Sequence, residues 1–294
     1  MHPTLTYLEQ IKHNLRFADY ETIYQSILAL HPKFVPTSLI NEGHFIERAR
    51  INYNGEVFTR EDQVSYISDP HVIAEKVSFG RANLPKNSVF YGSIISPEIQ
   101  LPRAVTYFET SSRVKELSLP GPFTEIFTVS RWRIKKTFQV AEIIYGEDYK
   151  GKSEYVRLAL ENQSKNLDTE ILRLEKQSGV NYRDLFESQA RFFCNEFSKT
   201  NIDAPDDYKI SAAFSNYFFT LTPLKGVTYP SVPSGYQGQN VALTTETVDK
   251  HLVLEKVYQC KCVRLNNESP LISVTDMVNE FGASNSDFQW VKAT

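Results

Sequence analysis

The first thirty residues have the apolar pattern of two amphipathic helices. Within each helix the apolar positions recur at three or four residue intervals before Pro32; they are Leu8, Ile11, Leu15, Ile23, Ile27 and Leu30. Each helix has one apolar face, which favours packing against a core, although docking of a partner or of a second copy is an alternative. We therefore predict that residues 1–41 are an N-terminal helical decoration of a main domain over residues 42–294.

From Phe45 to Ile144 the pattern changes to short runs rich in β-branched and aromatic residues, which is typical of strands. The predicted strands are FIERARINY, QVSYIS, SVFYGSII and, after Pro120 and Pro122, EIFTVSRWRIKKTFQVAEIIY. Between them AVTYFETSSRVKEL follows Pro102 and has the pattern of a helix.

A mostly helical stretch near residues 150–222 follows. In NYRDLFESQARFFCNEF one stripe holds Phe186, Ala190, Phe193 and Phe197. Strands return with GVTYPSV, NVALT and HLVLEKVYQCKCVRL, whereas residues 264–294 are polar and weakly patterned. This order predicts an α+β fold, in which a helical insertion separates two β-rich parts of one sheet completed by distant segments.

Composition narrows the classes of partner. The 294 residues carry a formal charge of −3, so bulk electrostatics do not favour nucleic acid. We find no apolar run of the roughly 20 residues that a bilayer requires and no signal-like start, and three cysteines are too few for a disulfide framework. The sequence thus predicts a cytoplasmic protein without a membrane segment.

The sequence offers few of the common catalytic and metal motifs. The spacing Gly-x-x-x-x-Gly-Lys occurs once, at residues 146–152, whereas Gly-x-Gly-x-x-Gly and Gly-x-Ser-x-Gly are absent, and the six histidines never pair at metal-ligand spacing. Cys260 and Cys262 lack a second ligand pair, so we predict no metal and place both in the core. In RWRIKK, Arg131, Arg133 and Lys135 alternate with a buried Trp132, which predicts a solvated strand face, with partner docking or phosphate contact as the alternative.

Polar residues recur at positions where local structure does not need them. Taken singly, an Arg on a strand is usually a surface residue, and a Glu early in a helix is favoured by the helix dipole. The set comprises Arg48, Arg50, Arg81, Asn83, Tyr91, Glu109, Ser231 and Asn240.

In order along the chain, RARI, GRAN, VFYGS, AVTYFE, YPSV and QNVAL resemble the RES domain, named for its Arg, Glu and Ser. The resemblance spans roughly residues 45–245. RES domains are toxins of bacterial toxin–antitoxin pairs, so the resemblance implies an ADP-ribosyltransferase-like fold with a mixed or antiparallel β core. It also implies NAD as substrate, cleavage of its nicotinamide–ribose bond by hydrolysis, phosphorolysis or ADP-ribose transfer, and an antitoxin as partner.

The resemblance also implies the site. The family's Arg falls on Arg48, its Gly-Arg-x-Asn on Gly80, Arg81 and Asn83, its Tyr on Tyr91, its Glu on Glu109 and its Ser on Ser231. Arg50 is a substitute for Arg48, because both lie on one strand face. We expect Glu109, Arg48 and Ser231 to serve catalysis, and the NAD-binding set to be Arg48, Arg50, Arg81, Asn83, Tyr91 and Asn240.

These residue types suit NAD cleavage. Nicotinamide leaves from a cationic pyridinium, so one carboxylate, Glu109, can stabilise the developing ribose cation without a second carboxyl acting as acid. Arginine offers a planar fork to phosphate, and Tyr91 a flat ring to nicotinamide. Ser231 has a hydroxyl that can bond the ribose or position Glu109, although no histidine motif makes it a nucleophile.

Two departures from the family pattern affect the site. Ala82 replaces the usual aromatic residue of Gly-Arg-x-Asn, which is expected to open or reshape one wall, and the helical stretch lengthens the gap from Glu109 to Ser231. Two other functions are alternatives: a transferase that modifies one protein, or a non-catalytic module that docks a protein through the N-terminal helices and the cationic strand. Self-association stays open.

Overall fold

The computed structural model describes residues 2–30, 35–115, 121–144, 149, 151–265, 269–281 and 287–293. The helices in these ranges are α1 (Pro3–Ile11), α2 (Tyr20–Leu30), α3 (Glu61–Val64), α4 (Pro70–Lys76), α5 (Arg103–Thr110), α6 (Ser112–Lys115), α7 (Glu154–Ser178), α8 (Arg183–Phe197), α9 (Lys209–Leu221) and α10 (Thr245–His251). The strands are β1 (Thr37–Ile40), β2 (Phe45–Ile51), β3 (Val89–Ile94), β4 (Phe123–Ile134), β5 (Phe138–Glu142), β6 (Gly226–Pro230), β7 (Gln239–Thr244), β8 (Leu252–Arg264), β9 (Leu271–Val278) and β10 (Val291–Lys292).

The fold is mixed α+β, as predicted, with one open sheet in the order β1-β5-β6-β7-β3-β2-β4-β8-β9-β10. Neighbouring strands are antiparallel except β5 and β6, which pair in parallel. Parallel neighbours need a long crossover, and α7, α8 and α9 supply it. The helical insertion is therefore the connection that lets β5 and β6 lie side by side.

The sheet is weakly joined at its centre. β2 pairs with β4 at seven consecutive positions, from Phe45 to Ile51, but with β3 at only one, where Glu47 faces Ser93. The two strands diverge from this point. An opening between strands exposes backbone groups that a continuous ladder would pair, so side chains or ligands must satisfy them.

The N-terminal helices belong to the main core. Leu5, Leu8 and Ile23 are buried in the same hydrophobic cluster as Phe193 of α8 and Phe214 of α9. Lys209 donates from Nζ to the carbonyl oxygens of residues 15 and 18, both at 3.0 Å, which ties the turn between α1 and α2 to α9. Residues 1–41 also supply strand β1, so this segment contributes to the sheet as well as to the helical layer.

Most predicted elements are confirmed, and the exceptions have local causes. QVSYIS is not a strand: residues 61–64 form α3, whose start is capped by Gln63 Oε1, which accepts the backbone N–H groups of Thr59 and Arg60. The helix predicted after Pro102 breaks at Ser111, which is extended. Strand β9 was missed because its side chains are mostly half-exposed and Val278 alone is buried, which weakens the period-two pattern.

The cationic strand is not uniformly solvated. Trp132 is buried, as predicted, and Cys260 and Cys262 are free and buried. Arg131, however, donates to the fully buried Glu47 carboxylate at 2.8 and 3.0 Å and stacks on Phe45, whereas Arg133 and the exposed Lys135 follow the prediction. Because Arg131 serves a buried ion pair, this strand offers less free charge to a partner than its sequence indicates.

Within the described residues, no helix has the length and apolar character needed to cross a membrane. The same ranges contain no group of three or more His, Cys, Asp or Glu side chains arranged to hold a metal ion.

Candidate active site

A cleft of about 660 Å³ lies where β2 and β3 diverge. Its volume is within the range of small-molecule sites, about 300–1,000 Å³. The described lining comes from β2, β3, α5, β6, β7, the segments before β3 and after β6, and the segment that joins α8 to α9. It includes Arg48, Gly80, Arg81, Tyr91, Ser93, Glu109, Lys199, Tyr208, Tyr229, Val232 and Asn240. Five predicted site residues thus share one cleft: Arg48, Arg81, Tyr91, Glu109 and Asn240.

Glu109 lies in the last turn of α5, not in the first turns as the sequence suggested. The C-terminal end of a helix carries partial negative charge, which disfavours a carboxylate there. Glu109 also forms no ion pair with any lysine or arginine of the described ranges. The helix dipole therefore does not explain why a glutamate stands at this position. A carboxylate at the unfavourable end of a helix, on the wall of a cleft, is better explained by a function in that cleft.

Asn240 and Ser93 hold the Glu109 carboxylate. Asn240 Nδ2 donates to Glu109 Oε1 at 2.6 Å, and Asn240 Oδ1 accepts from Ser93 Oγ at 2.9 Å. Asn240 and Ser93 are both buried, on the paired strands β7 and β3. The short chain of hydrogen bonds fixes the amide orientation, so Asn240 positions the carboxylate, whereas the sequence had placed it among NAD-binding residues.

Arg48 bridges the opening between β2 and β3. It donates from Nη1 to the Tyr91 carbonyl at 2.8 Å and from Nε to the Ser65 carbonyl at 3.1 Å. Burial, with the charge of Arg50, lowers the pKa of Arg48 to about 9, so it stays protonated at neutral pH. Because neutral carbonyls are its partners, its positive charge is left for a ligand.

Arg50 binds the same carbonyl as Arg48 but does not line the cleft. Its Nη2 donates to Ser65 O at 3.1 Å, which confirms that both side chains lie on one strand face. The described cleft lining includes Arg48 and not Arg50, so Arg48 is the better candidate of the two.

Tyr91 and Asn83 form a rigid unit. The Tyr91 hydroxyl donates to Asn83 Oδ1 at 2.8 Å and accepts the Ala82 N–H at 2.8 Å, while Asn83 Nδ2 donates to Ser78 O and Leu84 O. Burial raises the pKa of Tyr91. With its hydroxyl engaged, Tyr91 offers a ligand its ring, and Asn83, which lies outside the described lining, positions Tyr91 instead of contacting NAD.

Gly80 leaves room for this unit. A Cβ at Gly80 would overlap Asn83 Oδ1 and lie 3.1 Å from the Tyr91 hydroxyl. We expect Gly80→Ala to lower the free energy of unfolding by about 1–3 kcal/mol, because overpacking displaces the Asn83 amide. Urea denaturation measures the change. Gly151→Ala is the matched control, since a Cβ at Gly151 meets no atom of the described residues within 4 Å. Equal stability of the two variants would contradict the packing argument.

Arg81 joins the cleft to the helical crossover. Its guanidinium donates to the carbonyl oxygen of Phe197, the last residue of α8, and to Lys199 O at 3.4 Å. Cations at the C-terminal end of a helix are favoured by the helix dipole. Arg81 therefore positions the segment after α8 as a cleft wall while it lines the cleft itself, a role that the sequence did not indicate.

Ser231 is next to the cleft, outside its described lining. The residue is fully buried directly after β6, and its backbone N–H donates to Gly238 O at 2.8 Å. Its Oγ has no hydrogen-bond partner among the residues that the structure describes. The following residue, Val232, does line the cleft, so Ser231 is adjacent to the site without contacting its open space.

Because the buried Ser231 hydroxyl has no hydrogen-bond partner among the described residues, its contribution to stability can be tested. We expect Ser231→Ala to leave the free energy of unfolding unchanged or to raise it by about 1 kcal/mol, because no hydrogen bond is lost. Ser234→Ala is the control: Ser234 Oγ donates to Ser231 O and accepts from Gly238 N–H, so its loss should destabilise by about 1 kcal/mol. Urea denaturation compares them. A loss in Ser231→Ala as large as in the control would show that the hydroxyl is structural.

Ala82 does not open the cleft. Its side chain is 2% exposed, packs in the core cluster that contains the N-terminal helices, and is outside the described lining. The expectation that a small residue here reshapes the wall is wrong, because this position points into the core and the Tyr91 hydroxyl binds only its backbone N–H.

Three further lining residues were missed by the sequence reasoning. Tyr229 pairs with Asn240 in the sheet, and Arg81 lies over the rings of Tyr229 and Tyr208 at 5.8 and 5.3 Å. Lys199 forms an ion pair with Glu196 at 2.5 Å. The YPSV motif pointed to the neighbourhood of Tyr229, but nothing local marked Tyr208 or Lys199, because the fold of the crossover brings them to the cleft.

Comparison with known proteins adds no assignment: no family model matches the chain, and the search of curated proteins gives no match.

Proposed function

We propose that the chain binds NAD in the cleft and cleaves its nicotinamide–ribose bond, by hydrolysis or phosphorolysis, as a RES-like, ADP-ribosyltransferase-like enzyme. The observation that carries the proposal is the convergence of Glu109, Arg48, Arg81 and Tyr91 on one cleft from separate segments of the chain. The choice of NAD as the substrate rests on the resemblance of the motifs to the RES domain.

The charges of the cleft support this ligand. The described lining contains three cations, Arg48, Arg81 and Lys199, and one carboxylate, Glu109. NAD carries two phosphate charges at one part of the molecule and a cationic pyridinium at the other. Both arginines bind neutral backbone carbonyls, so their charge is available to phosphate, while Glu109 has no cationic partner among the described residues.

The reaction then needs few groups. The bond between ribose C1′ and the pyridinium nitrogen breaks, and nicotinamide leaves as a neutral molecule with the bonding electron pair. Glu109, oriented by Asn240, stabilises the cationic ribose that forms. Water, which loses a proton, or phosphate then bonds to the same carbon and yields ADP-ribose or ADP-ribose phosphorylated at that carbon. No proton is delivered to the leaving group, which accounts for a single carboxylate.

Incubation with NAD tests the proposal. We expect the purified full chain to release nicotinamide from NAD without any acceptor protein, and chromatography with and without phosphate to distinguish the two products. Release that requires an added protein would support transfer of ADP-ribose instead. Absence of both NAD binding and nicotinamide release would leave the protein-docking module as the better explanation.

The toxin and antitoxin assignment rests on the resemblance and is part of the same proposal. If it is right, expression in bacteria should lower cellular NAD, and a protein that covers the cleft should prevent this. An unchanged NAD level on expression of a folded chain would contradict the toxin assignment.

A further inference from the structure

A second cavity, of about 360 Å³, lies between the edge of the sheet and the start of the helical crossover. β1, the end of β5 and the first half of α7 line it, and it shares none of the described lining of the NAD cleft. Its polar lining consists of Thr37, Ser38, Glu142, Asn162, Gln163, Lys165 and Asn166. Neither the motif pattern nor the proposed reaction uses any of them.

Gln163 presents an unsatisfied acceptor in this cavity. The residue is 1% exposed, and its Nε2 donates to Glu142 Oε2 at 3.2 Å, which fixes the orientation of the amide. Its Oε1 is buried and has no hydrogen-bond partner within the described ranges. A buried polar atom without a partner costs about 1–3 kcal/mol, so native proteins rarely keep one without a reason.

Ser38 and Glu142 add a hydroxyl and a carboxylate to the same cavity. Ser38 Oγ is also buried without a hydrogen-bond partner among the described residues, and Ser38 lies on β1, which pairs with β5, the strand of Glu142. Among the described residues Glu142 has no ion-pair partner, and burial raises its pKa although the Gln163 hydrogen bond lowers it. Lys165 lines the cavity but is exposed and forms no ion pair with Glu142.

We propose that this cavity binds an organic cation, a guanidinium or alkylammonium group that donates to Glu142, Gln163 Oε1 and Ser38 Oγ. Both groups carry several N–H donors and no acceptor, which matches the Glu142 carboxylate and the free amide oxygen of Gln163. A guanidinium fits best, because its planar fork reaches two acceptors at once. The volume accommodates a molecule larger than a bare metal ion.

The cation has two sources with one chemistry: a free small molecule, or an arginine or lysine side chain of a partner protein. Calorimetric titration of the full chain with methylguanidinium and with agmatine tests the first source, and titration with a capped Gly-Arg-Gly peptide tests the second. N-methylurea is the neutral isostere, and KCl and CaCl₂ control for inorganic cations. Tighter binding of the peptide than of agmatine assigns the site to a partner, and the reverse order assigns it to a small molecule; either order supports the proposal.

Variants locate the binding. Glu142→Gln and Gln163→Leu should each weaken methylguanidinium binding about tenfold or more, since each removes an acceptor or its charge. Glu161 is an exposed carboxylate on α7, the helix of Gln163, and it pairs with Arg157. Glu161→Gln removes the same charge outside the cavity, so it should leave methylguanidinium affinity unchanged. Thermal melts of each variant confirm folding.

Several outcomes would overturn the inference. The first is that neither methylguanidinium nor the peptide binds saturably, and the second is that N-methylurea binds as tightly as methylguanidinium. The third is that Glu142→Gln binds methylguanidinium as tightly as the wild type, and the fourth is that Ca²⁺ binds more tightly than methylguanidinium. If the wild type binds no probe while Lys165→Met does, the cation is Lys165 itself and the site takes no external ligand.

Discussion

Replacing Glu109 with Gln is expected to lower kcat for NAD cleavage by about 10²- to 10³-fold, the size usual for loss of one preorganised electrostatic group. The amide keeps the shape of the side chain, and its oxygen can still accept the Asn240 Nδ2 hydrogen bond. NAD affinity should change little, because the phosphates are expected to contact the arginines. Nicotinamide release measures kcat, and calorimetry measures binding.

The control for this variant is Glu246→Gln, which removes an exposed helical carboxylate that is paired with Lys250 and lies outside the described cleft lining. It should keep wild-type turnover. If Glu109→Gln retains activity within a few fold while both variants fold normally, Glu109 is not the group that stabilises the ribose cation and the catalytic assignment fails.

Asn240→Asp should give the second large effect, a change in the pH dependence of turnover. The new carboxylate would replace the amide that lies 2.6 Å from Glu109 Oε1. Two carboxylates at this distance share a proton, which raises the pKa of one of them. Because Glu109 must be ionised to act, its active fraction falls at pH values below the raised pKa. The acidic limb of the kcat–pH profile should therefore move to higher pH, with turnover at pH 6 reduced more than at pH 8.

Asn240→Ala separates charge from positioning. It removes the donor to Glu109 and leaves Ser93 Oγ without its acceptor, but it adds no charge. Turnover should fall at all pH values while the acidic limb stays where it is in the wild type. An acidic limb that is unmoved in Asn240→Asp would show that Asn240 and Glu109 are not coupled during the reaction, and would contradict the role given to Asn240.

Local pattern was sufficient for much of the architecture. The N-terminal helices, the crossover helices and most strands follow from apolar spacing. The buried face of a helix or strand recurs at a fixed residue interval, and this interval can be read along the sequence. The pattern failed where that face is weak. β9 is half-exposed, and the QVSYIS segment begins with a capped turn at Gln63.

The candidate site was found only in part. The motif order pointed to Arg48, Arg81, Tyr91, Glu109 and Asn240, which line one cleft, but it could not assign their tasks. Asn83 supports Tyr91, Arg81 also holds the end of α8, and Ser231 lies behind the lining. Those distinctions depend on which atoms meet, and single-sequence motifs carry no information about such contacts.

By itself the sequence determined most of the element types, the α+β class and the set of polar residues worth testing, because these depend on neighbours along the chain. The tertiary structure decided where β2 and β3 separate, and therefore where a ligand can enter. It also decided that Glu109 ends a helix and is held by Asn240, a residue 131 positions away. Such contacts are set by strand pairing and crossover packing across the whole fold, which local spacing does not encode.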